Sequence, residues 1–175
     1  MSHKAQKDFL LRIKSKFPYF FKGVKVLDIG SLDINGNNRF LFEESLYIGV
    51  DVGPGKNVDV VCPGHLFTSK FLFDVVISTE CFEHDIHYKE TILNAVSLTK
   101  PGGIFLFTCA STGRKVHGIS TKGLKDNPFL PWSDYYKNLT EEDVKEVLDC
   151  SMFSEFYFEY YKPHRDLYFY GIKNV

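Results

Sequence analysis

The chain has 175 residues, the length of one domain, and can bury a hydrophobic core without disulfides or a structural metal. Hydrophobic residues make up 44% of the sequence, which excludes an intrinsically disordered protein. A net charge of −1, from 21 basic and 22 acidic residues, lacks the basic excess of a dedicated nucleic-acid binder.

The first residues carry a charged side chain at short intervals, and no apolar stretch approaches the roughly 18 residues of a membrane span. We therefore expect neither a signal peptide nor a transmembrane helix. The 4 cysteines form no CxxC pair, and three of them lie in or beside apolar runs, as buried free thiols do. These features predict a cytoplasmic protein with reduced thiols.

An N-terminal helical segment is predicted over residues 1–22. Residues 4–16 have amphipathic spacing, with Phe9, Leu10 and Ile13 on one side and lysines on the other. This pattern is typical of a helix that buries one face.

Five apolar runs follow and predict five β-strands. They comprise residues 24–30, 47–51, 58–62, 73–79 and 104–109. The runs are almost continuously apolar instead of alternating, which is typical of parallel strands covered on both faces in an α/β fold. Between the fourth and fifth runs, residues 86–99 have helical spacing that places Tyr88, Ile92, Leu93 and Val96 on one face.

The sequence changes in character after the fifth run. Residues 111–139 are irregular and rich in Gly, Lys, Ser and Pro, and a loop of this length is usually functional or mobile. Thr140, followed by three acidic residues, predicts the start of a helix. Aromatic runs at 153–161 and 167–173 predict a closing β-hairpin. Added to the five earlier runs, it makes a mixed seven-stranded sheet in a single domain spanning 1–175.

Ligands of parallel α/β sheets bind at the carboxyl ends of the strands. Gly30 ends the first predicted strand, and a glycine there allows a tight turn and a close approach of the backbone to a ligand. Asp51 ends the second predicted strand, 21 residues later. An acid at this position can accept hydrogen bonds from both hydroxyls of a ribose. The pair predicts a nucleoside-containing cofactor.

Two residues after Gly30 argue against a dinucleotide such as NAD. Leu32 stands where the dinucleotide motif has its second glycine, and the next residue is Asp33, so a pyrophosphate would meet a negative charge. S-adenosylmethionine (SAM) has no phosphate and carries a sulfonium and an ammonium, which suit Asp28 and Asp33. An NAD-dependent oxidoreductase is the less favoured alternative.

Four stretches of the sequence resemble the class I SAM-dependent methyltransferases. They are VLDIGSLDINGN (26–37), YIGVDVGPGKNVDVV (47–61), FDVVISTECFEHD (73–85) and LTKPGGIFLFTCAS (98–111). The first is similar to the corresponding motif of a subgroup of small methyltransferases. The resemblance implies a Rossmann-like α/β fold with helices on both faces, strand order 3-2-1-4-5-7-6 and an antiparallel strand seven.

The resemblance also implies which residues hold SAM. The methionine end would contact Asp28, Gly30 and Ser31, while Thr79, Glu80 and Phe82 would border the methionine and the reacting methyl group. Asp51 would bind the ribose, and Val52 would pack on the adenine. The adenine would also be flanked by residues Cys62 to His65, which include Gly64. Pro63 stands near the place where the family commonly has an Asp that binds the adenine amino group.

Several titratable residues near the strand ends could take a proton from the acceptor. We predict His117 as the base, with Glu80 beside the reacting methyl group. Glu83 and His84 are interpreted as structural, the glutamate capping the following helix and the histidine packing beneath it. His84 and His87 form an i,i+3 pair with no clear third ligand and no cysteine cluster, so we predict no metal site.

Residues 111–139 form the predicted acceptor site or lid. They contain Arg114, Lys115, Lys122 and Lys125, followed by the aromatic stretch at 131–137. Cations beside aromatics suit an anionic or sugar-bearing acceptor, although aromatics can also stack on nucleobases, and a solvated basic loop has the same composition.

The sequence therefore predicts a SAM-dependent methyltransferase that acts on a small-molecule acceptor such as a sugar or glycoconjugate hydroxyl, without a membrane or nucleic-acid partner. The alternative is a non-catalytic protein that keeps the fold and binds SAM or a partner. Neither the acceptor nor the oligomeric state follows from the sequence.

Overall fold

The computed structural model describes residues 4–122 and 134–175. Within these ranges the chain forms three α-helices and one seven-stranded sheet. The helices are α1 (Lys4–Lys16), α2 (Tyr88–Leu98) and α3 (Glu141–Lys145). The strands are β1 (Lys25–Ile29), β2 (Leu46–Asp51), β3 (Val60–Val61), β4 (Phe73–Thr79), β5 (Thr99–Ala110), β6 (Phe153–Tyr161) and β7 (Asp166–Lys173).

The strands lie in the order β3-β2-β1-β4-β5-β7-β6. The ladders among β1 to β5 are parallel, whereas β7 runs antiparallel to both β5 and β6. The central strands β1, β4 and β5 are buried along most of their length, which is why their sequences are continuously apolar. The predicted fold class, strand order and antiparallel hairpin are confirmed.

Each face of the sheet carries its own hydrophobic core. On one face Phe9, Leu10 and Ile13 of α1 pack against inward-facing side chains of the sheet, as the amphipathic spacing predicts. On the other face α2 packs against the alternate side chains, and Val144 at the end of the chain's third helix joins the same core. Helices therefore cover both faces.

The buried face of α2 differs from the prediction at one position. Tyr88, Ile92 and Val96 are buried as expected, but Leu93 is 53% exposed. The buried face of the helix extends from Ile92 towards residues such as Ala95. Leu93 lies on the other side of Ile92, outside this face. The prediction for Leu93 was wrong because a helical face has to be centred on its most buried residues.

The connections between the first strands are short. Between β1 and β2 the structure has a single 3₁₀ turn at Arg39–Leu41. β3 is shorter than the predicted strand at 58–62, because its ladder with β2 contains only two residue pairs. Both of its valines are exposed at this edge of the sheet.

The start of α3 matches its sequence signal. The Thr140 side chain accepts a hydrogen bond from the Asp143 backbone N–H (3.2 Å), and the Asp143 carboxylate accepts one from the Thr140 N–H (2.9 Å). This reciprocal capping box satisfies two donors that the first turn leaves open. The predicted N-cap is confirmed.

Two further expectations concern the whole chain. All four cysteines are unpaired thiols. Among the described residues, no helix combines the length and the apolar character needed to cross a membrane.

Candidate functional site

The predicted cofactor residues follow neighbouring parallel strands, so they meet at one edge of the sheet. Asp28 lies near the end of β1, with only 1% of its surface exposed. Its carboxylate accepts hydrogen bonds from the Tyr47 hydroxyl and from Asn38 Nδ2 (3.3 Å). Burial raises the pKa of Asp28 to about 7, against the lowering effect of these two donors. Asp28, the predicted contact for the methionine end of SAM, is thus buried and already hydrogen-bonded to side chains of the protein.

Gly30 makes the turn that follows β1. Its φ is +77°, and a Cβ at this position would collide with the side chain of Cys81. The neighbouring Ser31 is buried and lies over Gly49, where an added Cβ would be 2.7 Å from Ser31 Oγ. Glycine is therefore required here by the backbone conformation and by the contact with Cys81.

Asp51 fixes this turn from the neighbouring strand. Its Oδ2 accepts a hydrogen bond from the Leu32 N–H (2.9 Å) and its Oδ1 one from the Val52 N–H (2.8 Å). Each oxygen keeps a further lone pair for another donor. Burial raises the pKa of Asp51 despite these bonds. The acid at the strand end, which the sequence suggested as a ribose ligand, also holds the glycine turn in place.

Asp33 does not face an open site. Its carboxylate forms an ion pair with Lys56 (2.8 Å) and accepts hydrogen bonds from Asn37 Nδ2 (2.8 Å) and the Gly36 N–H (2.7 Å). The Lys56 hydrogen bond is the main reason why the pKa of Asp33 is lowered. Its charge is already balanced within the loop.

The segment proposed to flank the adenine forms a 3₁₀ turn at Gly64–Leu66. An added Cβ at Gly64 would lie 2.7 Å from side-chain atoms of both Ile29 and Thr91, so the turn is packed against the end of β1. The ring of His65 lies on that of His87, with centroids 4.3 Å apart. The structure thus pairs His87 with His65 and not with His84.

Beyond β4 the chain turns sharply at Glu80. This residue has a φ of +51°, unusual for a side chain other than glycine, and its N–H donates to the Thr108 carbonyl (2.8 Å). The Thr79 hydroxyl accepts a hydrogen bond from Asn38 Nδ2 (3.1 Å). Phe82 is fully buried against Phe107, so contact between Phe82 and a ligand requires local opening of this segment.

The structure corrects the capping role given to Glu83. Asp85 performs it instead, because its carboxylate accepts hydrogen bonds from the His87 N–H (2.8 Å) and the Thr91 hydroxyl (2.5 Å) at the start of α2. Both carboxylate oxygens of Glu83 are buried and accept no hydrogen bond from the described residues. Burial, reinforced by the charge of Glu80, raises the pKa of Glu83 to about 8.

Glu83, His84 and His117 come together, and we call them the Glu83 cluster. One possible ligand atom from each lies within 4.8 Å of the other two. The His84 and His117 rings meet edge to face with centroids 5.1 Å apart, and the Tyr136 ring contacts both. Sequence reasoning missed this arrangement because His117 lies 33 residues after His84 and follows a different strand.

The described part of the loop at 111–139 is tied to the fold at several points. Arg114 donates to the His164 carbonyl (2.8 Å) and forms an ion pair with the buried Asp166 (3.2 Å). The Lys137 N–H donates to the Glu83 carbonyl (2.8 Å). Arg114 therefore anchors the loop and is not a free cation for an acceptor. Lys125 and the aromatic stretch at 131–133 lie outside the described residues.

A cavity of about 320 Å³ lies between the loop after β1 and the segment before β3. Its basic residues are paired with acids, Arg39 with Asp59 and Lys56 with Asp33. The cavity is lined by Asn37, Arg39, Lys56, Asn57, Val58 and Asp59.

No protein-family model matches the sequence, and no curated protein sequence matches it. Solved structures do match. A 1,6-didemethyltoxoflavin N1-methyltransferase from Burkholderia thailandensis, solved with S-adenosylhomocysteine, has a TM-score of 0.65 at 15% identity, over 97% of this chain and 78% of the other. Phosphoethanolamine N-methyltransferase 2 from Haemonchus contortus, solved with SAM, has a TM-score of 0.66 at 17% identity, over 96% of this chain and 53% of the other.

The N-methyltransferase NodS from Bradyrhizobium japonicum, solved with S-adenosylhomocysteine, has a TM-score of 0.59 at 16% identity, over 97% of this chain and 87% of that one. At identities of 15–17%, these matches establish a shared fold. The chain has the Rossmann-like fold of SAM-dependent methyltransferases.

Proposed function

We propose that this protein is a SAM-dependent methyltransferase that acts on a small-molecule acceptor. The observation that carries the proposal is the contact between Asp51 and the turn at Gly30. Asp51 binds this turn from the neighbouring strand through the Leu32 N–H (2.9 Å) and holds a carboxylate at the same edge of the sheet. That edge is where parallel α/β sheets bind nucleoside cofactors. Structural neighbours solved with SAM or S-adenosylhomocysteine support the choice of cofactor.

The residues at this edge fit SAM in the following way. The remaining lone pairs of the Asp51 carboxylate suit the two ribose hydroxyls. Val52 and the turn at Gly64 and His65 would flank the adenine. Asp28, Gly30 and Ser31 would lie at the methionine end, and Thr79, Glu80 and Phe82 beside the reacting methyl group.

The bound cofactor supplies an electrophilic methyl carbon on a sulfonium. The protein has to align the acceptor with that carbon and exclude water. His117 Nδ1 lies 3.0 Å from the Lys115 carbonyl, so an Nδ1–H donating there leaves the Nε2 lone pair available. We assign His117 as the group that accepts a proton from the acceptor, with Glu80 bordering the methyl group.

The acceptor is assigned only by class. A sugar or glycoconjugate hydroxyl agrees with the lysines of the loop at 111–139, and an amine is supported by neighbours that are named N-methyltransferases. Both would lose a proton on methylation, so both agree with a base at His117.

The cofactor assignment is tested by calorimetric titration with SAM, S-adenosylhomocysteine and NAD. Micromolar binding of both adenosyl ligands and none of NAD is expected. Asp51→Asn should weaken adenosyl binding at least about 10-fold, since one carboxylate acceptor becomes a donor. Asp74→Asn is the matched control, because Asp74 accepts a hydrogen bond from the Lys25 N–H (2.7 Å) at the opposite edge of the sheet.

Unchanged adenosyl binding in folded Asp51→Asn, or weakening of equal size in Asp74→Asn, would refute the assignment of Asp51. Binding of NAD in place of SAM would refute the proposed cofactor.

A second candidate is a non-catalytic protein that keeps the fold and binds SAM or a partner. It is supported by the burial of Asp28, Ser31 and Phe82, which leaves their contacts with a ligand dependent on local opening. A screen for transfer of a labelled methyl group to hydroxyl and amine acceptors separates the two functions. Transfer to either acceptor supports the enzyme, and transfer in chelator that His117→Ala abolishes supports His117 as its base.

A further inference from the structure

The Glu83 cluster has the composition and spacing of an incomplete metal coordination sphere. It offers one carboxylate oxygen and two imidazole nitrogens within 4.8 Å of one another. Ligand atoms on a tetrahedral zinc ion at about 2.1 Å are about 3.4 Å apart, so a small inward movement of these side chains closes the sphere. The ligands come from the turn after β4 and the loop after β5, two neighbouring strands.

The buried carboxyl of Glu83 is a second observation that fits a cation at this position. The residue is 0% exposed, and neither carboxylate oxygen accepts a hydrogen bond from the described residues. Burial disfavours the ionised form of a carboxyl, and a cation bound at this position would stabilise it. The nearby cations of the described chain are engaged elsewhere, Arg114 with Asp166 and Lys137 with Asp143.

The two histidines are held as metal ligands usually are. A ligating histidine commonly donates its other ring N–H to a backbone carbonyl, which fixes its tautomer and orientation. The His117 Nδ1 lies 3.0 Å from the Lys115 carbonyl, and the His84 side chain is hydrogen-bonded to the backbone of Tyr135.

We propose that Glu83, His84 and His117 bind one divalent transition-metal cation of the zinc, cobalt or manganese type. Two imidazoles favour such a cation over magnesium or calcium, which prefer oxygen ligands. Three protein ligands leave at least one coordination position open. His117 lies within the loop at 111–139 and is half-buried, so this ligand is partly accessible from solvent.

In the proposed methyltransferase, the open position would take an oxygen or nitrogen atom of the acceptor. This role depends on the proposed function, whereas binding of the cation does not. The Nε2 lone pair of His117 cannot coordinate a cation and accept a proton at once. In the cation-loaded protein the cation would therefore bind the acceptor and lower the pKa of its O–H or N–H, and the proton would be released to water instead of to His117.

The test is a titration of chelator-treated protein, without SAM, with Co²⁺ followed by visible absorption and with Zn²⁺ followed by calorimetry. One ion per chain is expected, with the absorption spectrum of nitrogen and oxygen ligation. Glu83→Gln and His117→Ala should each weaken binding at least about 100-fold. His87→Ala should bind normally, because the exposed His87 belongs to the His65 pair.

Folding of the variants is checked by thermal unfolding in chelator, where Glu83→Gln should be at least as stable as the unmodified protein because it removes a buried carboxyl. His117→Ala is the second, independent variant, because it changes a half-buried side chain. Absence of stoichiometric binding, binding that survives both variants, or loss of binding in His87→Ala would each overturn the proposal. SAM titration in chelator tests the proposed function separately, so the two can fail independently.

Discussion

At the scale of single residues, Gly30 shows how one glycine can be required for more than one reason. The sequence predicted it for a tight turn and for the close approach of a ligand to the backbone. In the structure, the positive φ and the side chain of Cys81 already exclude any larger residue. The fold therefore requires glycine at this position whether or not a ligand binds.

Gly30→Ala tests this order of causes. The substitution should lower the free energy of unfolding by about 2–4 kcal/mol, since it combines a strained φ with a collision against Cys81. Gly102→Ala is the matched control, because Gly102 has a similar φ of +72° but its added Cβ meets only Val175 at 3.7 Å. It should lose about 1 kcal/mol. Equal losses in urea denaturation would contradict a role for Cys81.

The Glu83 cluster marks the limit of prediction at this scale. His117 was selected from the sequence because it follows a strand in a loop, and that location is correct. Its neighbour His84 was paired with His87 because local spacing was the only distance that the sequence offers. Which histidines meet depends on the order of β4 and β5 in the sheet and on the turn at Glu80, and neither can be measured along the chain.

At the scale of elements, α2 separates what periodicity can and cannot determine. Spacing correctly predicted the helix, and three of the four residues predicted to face the core are buried. Leu93 was misplaced because two adjacent apolar residues leave the centre of the face undetermined. Element ends were predicted less well where hydrogen bonding sets them, as in β3, whose ladder ends after Val61 although the apolar run continues to Cys62.

Adjacent residues of α2 give a direct measurement of its orientation. Ile92→Ala should reduce the free energy of unfolding by about 2–5 kcal/mol, because Ile92 is 0% exposed within the core. Leu93→Ala removes a comparable number of carbons from a side chain that is 53% exposed, and it should cost less than about 1 kcal/mol. Similar losses for the two variants in chemical denaturation would show that the face is centred elsewhere.

At the scale of the whole molecule, buried carboxyls are concentrated at one edge of the sheet. Burial raises the pKa of Asp28 to about 7 and of Glu83 to about 8, and it raises the pKa of Asp51. Between their ordinary values and these raised values, the folded protein holds protons that the unfolded chain has released. Stability from these groups is therefore present at low pH and is lost as the pH rises from about 4 to about 8.

Asp28→Asn should make this decline shallower and raise stability at pH 8 relative to the unmodified protein, both in chelator, because asparagine cannot ionise. Glu155→Gln is the control. The Lys16 hydrogen bond lowers the pKa of Glu155, so its contribution is lost only on acidification, below the ordinary range. Urea denaturation at several pH values gives the curves. Parallel curves for Asp28→Asn and the unmodified protein from pH 5 to pH 8 would show that Asp28 ionises normally.

The strand order also bears on how the chain acquires its structure during synthesis. β7 is made after β6 but lies between β5 and β6, and β6 has β7 as its sheet neighbour. β6 therefore has no place on the sheet until β7 has been translated, and the edge of β5 stays open for as long. The hairpin has to dock as one unit, so a ribosome that pauses between the two strands would hold a nascent chain with an exposed β5 edge, the form most open to chaperones and to misassembly.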